Sequence, residues 1–336
     1  MAKIAINGFG RIGRLAFRNI LDQHPKLRVA AINDLTDSKT LAHLLKYDSS
    51  YGIYSKNVGF DAENIIIDGE KYKVFAEKDP AHLPWRKLGV DVVLECTGFF
   101  TDYEGNLKHI KAGAKKVVIS APTKDNEKVR TFVLGVNEKK YNSKKDHIIS
   151  NGSCTTNCLA PLAKVLEDNF GVVHAFVGTT HSYTNSQRLL DLPAKNIREA
   201  RAAALSIIPS TTGAAKAIFQ TIPSLKDKIS GYALRVPTPV VSIADFTAII
   251  KKKTTIEEVN DIFRKESKKS LKGILGVSDV PLVSVDYKGN PLSAILDSEL
   301  TLVQGNLVKV TAWYDNEWGY VCRLAEMAEY ISSSPC

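Results

Sequence analysis

The sequence predicts a two-domain α/β protein: a doubly wound, largely parallel sheet over residues 1–150, then an α+β domain with a mainly antiparallel sheet over residues 151–315. Three observations lead there. A chain of 336 residues exceeds what one hydrophobic core usually sustains. Its first part alternates short apolar runs with helix-like stretches and places a glycine-rich turn at the first such junction. Its second part holds apolar runs that outlast the helices between them, the pattern of antiparallel strands.

The first strand, Lys3-Ile4-Ala5-Ile6, runs into Gly8-Phe9-Gly10-Arg11-Ile12-Gly13, and helix-like Arg14 to Leu21 follows. Gly-x-Gly-x-x-Gly is informative because it stands between strand and helix. Gly8, Gly10 and Gly13 allow a tight turn and close backbone approach, the N-terminus of the following helix receives a pyrophosphate, and Arg11 and Ile12 within the turn are counted with the cofactor-binding residues. The next strand, Leu27 to Ile32, ends at Asn33-Asp34, which puts a carboxylate about 20 residues beyond the last glycine, where ribose recognition needs it. Asp34 can accept from ribose hydroxyls and repels a 2′-phosphate, so the cofactor is expected to be NAD rather than NADP. Val90 to Gly98 and Lys116 to Pro122 read as further buried strands whose ends line the same cleft.

The run Ile149-Ser150-Asn151-Gly152-Ser153-Cys154-Thr155-Thr156-Asn157-Cys158-Leu159-Ala160-Pro161 joins a strand end to a helix start through small and capping residues. Cysteines are usually buried and inert. Cys154, however, faces the positive end of a helix dipole and its backbone N–H groups, which favour thiolate. A second apolar strand, Val172 to Gly178, leads to Thr180-His181-Ser182-Tyr183-Thr184, and His181 is the candidate base. Lys228 to Arg235, Val240 to Ile250 and Leu307 to Tyr314 supply the longer strands. Thr255 to Glu266 is an amphipathic helix with an acidic, capped first turn, and Tyr320 to Ile331 has helical apolar spacing.

An apolar content of 44% with 24% charged residues is that of an ordinary soluble globular chain. No stretch reaches the length of a transmembrane helix, and neither Met1-Ala2-Lys3 nor Ser334-Pro335-Cys336 reads as an address signal. Five cysteines without framework spacing suit a reducing compartment, so the chain is expected in the cytoplasm. The net charge of +9 fits anionic substrates. Its lysine clusters are scattered and lack interleaved aromatics, so no dedicated nucleic-acid or membrane partner is expected. Cys154 and Cys158 stand four apart with no second pair at metal spacing, and no metal site is expected.

Ser-Cys-Thr-Thr-Asn-Cys followed by His-Ser-Tyr-Thr resembles the catalytic core of the glyceraldehyde-3-phosphate dehydrogenase family. Residues 6–14, 207–216, 235–239 and 313–317 extend the likeness over nearly the whole chain. The resemblance implies a Rossmann-type NAD domain, completed by a C-terminal helix at 316–336, and a catalytic domain. It places Lys78 and Thr97 near the adenosine half of the cofactor, Ser120 near the nicotinamide half, and Asn316 at the carboxamide. Leu192-Pro193 resembles the dipeptide of NAD-preferring members. Cys154 would attack glyceraldehyde 3-phosphate to form a thiohemiacetal, and His181 would activate the thiol as an imidazolium partner and then take the hydroxyl proton. Oxidation leaves a thioester, which inorganic phosphate cleaves to 1,3-bisphosphoglycerate.

Ser153, Thr155, Thr212 and Gly213 resemble the attacking-phosphate site, and Thr184 and Arg235 the substrate-phosphate site. Some members place an arginine at the position of Glu199, so the resemblance makes Arg198 the better candidate for a phosphate ligand there. Gly152 replaces a common alanine, and Ser186 an acidic residue of some members. The Tyr183 to Arg201 loop resembles a segment that borders a neighbouring subunit's cofactor site, which implies a homotetramer. Erythrose-4-phosphate dehydrogenase shares the same nucleophile and remains an alternative, as does a binding protein for RNA or membranes on the same fold.

Overall fold

Ile4, Ala5 and Ile6 are fully buried, and their strand, Ala2–Asn7, is the middle of a nine-stranded sheet. In this computed structural model, which describes residues 1–334, the order across the sheet is Arg130–Thr131, Ile148–Ser150, Lys116–Ile119, Val92–Glu95, Ala2–Asn7, Leu27–Asn33, Glu70–Phe75, Asn64–Ile67 and Val58–Phe60. Neighbours run parallel as far as Glu70–Phe75, and continuous apolar runs suit strands covered on both faces. The chain leaves Ala2–Asn7 for Leu27–Asn33 on one side and later returns to Val92–Glu95 on the other. The ends at Asn7, Asn33 and Glu95 therefore flank the crevice where doubly wound sheets bind ligands.

The last two strands turn back antiparallel and were not anticipated. Their signal was present: Asp68 and Gly69 separate two strands and both have positive φ, 49° and 88°, the backbone of a tight hairpin turn. The helix Arg11–Gln23 starts three residues before the expected Arg14 and runs two past Leu21: Gly10 is its N-cap, so Gly13 lies within its first turn.

This sheet belongs to one of two compact units: Met1–Phe132, Lys139–Gly152 and the chain from Val321 onward form the first, while Val133–Glu138 and Ser153–Tyr320 form the second. The helix expected at 316–336 is Trp318–Ser333, and Pro335 and Cys336 lie outside the described residues.

In the second unit the strand order is Ile208–Ser210, Ile229–Val236, Val172–Ser182, Ser242–Ile250, Leu307–Tyr314, Ala294–Asp297 and Leu275–Ser278, with Leu302–Gln304 added against Leu307–Tyr314. Pairings are antiparallel except two: Val172–Ser182 with Ile229–Val236, and Leu275–Ser278 with Ala294–Asp297. The helix Cys154–Phe170 packs Leu159, Leu162 and Leu166 into a core shared with Phe246, Phe263 and Val310. Truncating Phe246 to alanine in such a core costs about 3–5 kcal/mol. The helix continues through Pro161, which supplies no N–H and weakens one turn without ending it. Thr255 Oγ1 accepts from Glu258 N at 3.2 Å and caps the helix Ile256–Lys268. No helix among the described residues is long and apolar enough to cross a membrane.

Candidate active site

Gly8 has φ +89°, and a Cβ there would lie 2.7 Å from Thr97 N; a Cβ on Gly13 would lie 2.1 Å from Gly8 O. Both glycines are fixed by packing of the turn itself. Gly10 differs, since a Cβ on it would meet nothing within 4 Å, and it lines a cavity of about 500 Å³. Its bareness keeps the backbone open to a ligand. Gly10 is also the N-cap of Arg11–Gln23 and gives the first turn no side-chain acceptor, so this helix start is suited to a pyrophosphate. Asn7, Asn33, Asp34, Lys78, Cys96 and Thr97 line the same cavity. Asp34 Oδ2 accepts from Phe9 N at 2.8 Å and Oδ1 from Thr36 N at 3.0 Å, which aims the carboxylate and leaves each oxygen capacity for a ribose hydroxyl. The glycine cradle and the acidic strand end fit a dinucleotide.

Two expected cofactor residues sit differently from their simplest reading. Arg11 turns its guanidinium onto Asp48 at 2.5 Å and over the Tyr51 ring, so its side chain is engaged within the protein and its backbone, like that of Ile12, stands at the helix start. Ser120 lies outside the residues lining the cavity and donates its backbone N–H to Glu95 O at 3.0 Å. Burial pushes the neighbouring Cys96 thiol up to about 12.

In the second unit Ser153 caps the helix Cys154–Phe170, its Oγ accepting from Thr156 N at 3.0 Å. Cys154 is thereby the first helical residue. The strand Val172–Ser182 runs beyond the expected end at Gly178, because it pairs on both sides, and carries His181 to the thiol: Sγ and Nε2 are 3.4 Å apart. Arg235 stands in register with His181 on the adjacent parallel strand, with Nη1 2.6 Å from Nδ1 and 3.2 Å from Ser182 O.

Burial pushes the Cys154 thiol up, while Arg235, the Thr155 hydroxyl and the N–H groups of Thr155 and Cys154 pull it down. Burial, reinforced by Arg235, holds His181 down at about 4. The imidazolium expected beside the thiol is thus opposed by burial and by a neighbouring cation, and the fixed positive charge near sulfur is that of Arg235.

Nδ1 of His181 has two neighbours with opposite demands. Ser182 O, 2.7 Å away, only accepts, and Arg235 Nη1 only donates. If Nδ1 accepts from Arg235, the ring proton sits on Nε2 facing sulfur. If Nδ1 donates to Ser182 O, Nε2 is a bare base.

Tyr314 was not singled out by the sequence. Its buried hydroxyl lies 3.0 Å from Thr155 Oγ1 and 2.8 Å from Thr179 Oγ1, and Thr179 donates to Ile243 O. Its ring meets His181 edge-on at 6.0 Å between centroids. The tyrosine ties the helix Cys154–Phe170 to the strand carrying His181. A β-strand pattern in 307–314 gives no sign of that role. Asn316 Oδ1 accepts from Ser242 Oγ, and Ser242 Oγ accepts from Ser182 N, so Asn316 is braced through the strand next to His181 and its NH₂ is the end left for a ligand.

The remaining expected phosphate residues make local contacts within their own segments. Thr184 bonds Ser186 Oγ at 2.9 Å, Thr212 Oγ1 accepts from Ala214 N at 3.2 Å, and Gly213 opens the helix Ala214–Thr221. Arg198 is exposed, whereas Glu199 is half-buried and accepts from Ser210 Oγ. Among the described residues, none of Thr184, Arg198, Thr212 and Gly213 hydrogen-bonds to Cys154 or His181.

A family model described as the glyceraldehyde 3-phosphate dehydrogenase NAD binding domain matches residues 2–103, and one described as that family's C-terminal domain matches residues 153–316. The chain belongs to the glyceraldehyde-3-phosphate dehydrogenase family. It is 54% identical to the glyceraldehyde-3-phosphate dehydrogenase of Geobacillus stearothermophilus over 98% of both chains. It is 53% identical to those of Priestia megaterium and Bacillus subtilis, again over 98% of both chains. As a member of this family the chain is an NAD-dependent oxidoreductase acting on glyceraldehyde 3-phosphate, and neither erythrose 4-phosphate oxidation nor a purely binding role is favoured by these matches.

Proposed function

We propose that Cys154 is the nucleophile and His181 the base of a phosphorylating oxidation of glyceraldehyde 3-phosphate. The contact that carries this reading is Sγ to Nε2 at 3.4 Å, made at a helix start. Sulfur adds to the aldehyde carbon as the thiol proton passes to the imidazole or to the new oxygen, giving a thiohemiacetal. The backbone N–H of Cys154 and the His181 side chain face the developing oxyanion. Within the first unit the Gly8–Gly13 turn, Asp34, Lys78, Thr97 and, for the nicotinamide half, Ser120 would hold NAD, which supplies the hydride acceptor when bound; within the second unit Asn316 is the residue suited to a carboxamide. His181 Nε2 removes the hydroxyl proton, a thioester remains on Cys154, and inorganic phosphate displaces it as an acyl phosphate.

Arg235 and Thr184 suit the substrate phosphate; Ser153, Thr155, Thr212, Gly213 and Arg198 suit the attacking phosphate, because hydroxyls, N–H groups and guanidinium donate to anions. The Thr155 hydroxyl is engaged by Tyr314, so its backbone N–H is the available donor. A substrate phosphate that draws Arg235 away from Nδ1 leaves Nδ1 to donate to Ser182 O, which selects the form with a basic Nε2. Leu189, Leu190, Ile197 and Leu205 are exposed, as are Phe176 and Tyr232 on the sheet. Such apolar surface supports a homotetramer in which other copies cover these faces, and the cytoplasm is its expected location. The test is NADH formation from glyceraldehyde 3-phosphate: it should require phosphate or arsenate, and oxidation at full rate without either would refute the phosphorylating step. Sedimentation as a stable monomer would refute the assembly.

A further inference from the structure

Beneath the cofactor cavity lies a buried polar chain that the reaction does not use. Trp85 Nε1 donates to His109 Nδ1 at 3.0 Å, and an indole nitrogen can only donate. His109 Nδ1 must therefore accept, its ring proton sits on Nε2, and Nε2 donates to Glu95 Oε2 at 3.2 Å. The 3.4 Å approach of Asn7 Nδ2 to that same nitrogen is then donor against donor and contributes nothing.

Glu95, itself buried, receives three further donors: Asn7 Nδ2 at 2.5 Å, Thr97 N at 2.8 Å and Thr97 Oγ1. Asn7 Oδ1 accepts from Asn33 Nδ2 at 2.7 Å. Asn33 in turn clasps the Glu77 backbone from both sides, Oδ1 accepting from Glu77 N and Nδ2 donating to Glu77 O, each at 2.9 Å. The chain thus ties three adjoining strand ends to the loop before Lys78. Asn7, Asn33, Glu77, Lys78 and Thr97 all line the cavity, while Trp85 and His109 do not.

We propose that Glu95, oriented by the His109–Trp85 pair, is a positioning residue for the adenosine half of the cofactor, holding Thr97, Asn7 and the Asn33–Glu77 clasp at the spacing that NAD requires. This rests on the reading of that cavity as the cofactor site. Four donors converge on one carboxylate, so a neutral amide in its place presents an NH₂ to at least one of them, and a buried donor is left unmatched. His109 and Trp85 act only by fixing which nitrogen of the imidazole faces Glu95.

The decisive measurement is calorimetric affinity of the apoenzyme for NAD and for ADP-ribose, which lacks the nicotinamide. Glu95→Gln should weaken both by the same factor, about tenfold or more, the effect of one unmatched buried donor. KM for NAD should rise with kcat and KM for glyceraldehyde 3-phosphate little changed. His109→Gln keeps a donor for Glu95 and should retain most of the affinity. Trp85→Phe releases Nδ1, and nitrogen-15 spectra should change from a single Nε2–H tautomer of His109 to a mixture, with an intermediate loss of affinity. Those two variants carry the test if Glu95→Gln does not fold. A lower unfolding temperature with unchanged ADP-ribose affinity would make the network merely structural, and a loss confined to NAD would put its influence in the wrong half; either overturns the proposal. Asp34→Ala, measured alongside, separates the two readings. If it leaves ADP-ribose affinity unchanged, the cofactor site itself is misplaced.

Discussion

Replacing His181 by asparagine separates its two proposed tasks. The shorter side chain keeps a polar atom near the position of Nδ1, facing Ser182 O and Arg235, but removes the atom 3.4 Å from Sγ. The thiol then loses its proton acceptor while burial still pushes it up, so iodoacetamide alkylation at neutral pH should slow. The base for the hydroxyl proton is lost as well, and general-base catalysis contributes roughly 10²–10⁴-fold, or about 3–5 kcal/mol of barrier. Two assays resolve these effects: alkylation rate against pH, and the burst of NADH on rapid mixing with substrate. Raising the pH supplies thiolate without the imidazole, so alkylation should recover while the burst stays slow by at least two orders of magnitude. Recovery of both at high pH would mean that His181 only tunes the thiol and the proton leaves by another route.

Other expectations follow from neighbouring contacts. Iodoacetamide at neutral pH should modify Cys154 and spare Cys96 and Cys158, whose thiols burial holds up without an adjacent guanidinium; peptide mass mapping reads this directly, and equal labelling would count against the electrostatic account. Cys158→Ser should therefore remain active, and inactivation of that variant without unfolding would misassign the two cysteines. Asp34→Ala should weaken NAD and relax discrimination against NADP without reversing it, since Leu192-Pro193 persists; because Asp34 also accepts from Phe9 N and Thr36 N, the loss should exceed that of one ribose contact. Unchanged NAD/NADP selectivity would show that the carboxylate does not face the ribose. Tyr314→Phe removes the hydroxyl shared by Thr155 and Thr179, so unfolding in urea should report a loss of about 1–3 kcal/mol, and kcat should fall with it. Full stability in that variant would mean the bridge is dispensable.

Much of this was legible in the sequence where one residue type admits few physical explanations. The glycines at 8, 10 and 13, the acidic strand end at Asp34, and a cysteine between Ser153 and a helix each announce a backbone geometry as well as a chemistry. The strands Leu307–Tyr314 and Ser242–Ile250 follow from apolar runs that outlast the helices between them, within two residues of expectation. What escaped was set by register across the sheet. Nothing in the spacing of His181 and Arg235, 54 residues apart, says that parallel pairing seats them side by side. The Glu95–His109–Trp85 chain is equally silent, because each residue is unremarkable in its own segment and only the fold brings them together. The hairpin at Asp68-Gly69 is different, because that dipeptide is itself a tight-turn signal and both residues take positive φ.

The central claim, a covalent intermediate on Cys154, is tested most directly by mass spectrometry of the enzyme mixed with NAD and glyceraldehyde 3-phosphate in the absence of phosphate. The account predicts one 3-phosphoglyceroyl group per chain, located on the peptide containing Cys154 and discharged when phosphate is added. No adduct despite NADH formation, or an adduct on another residue, would contradict it.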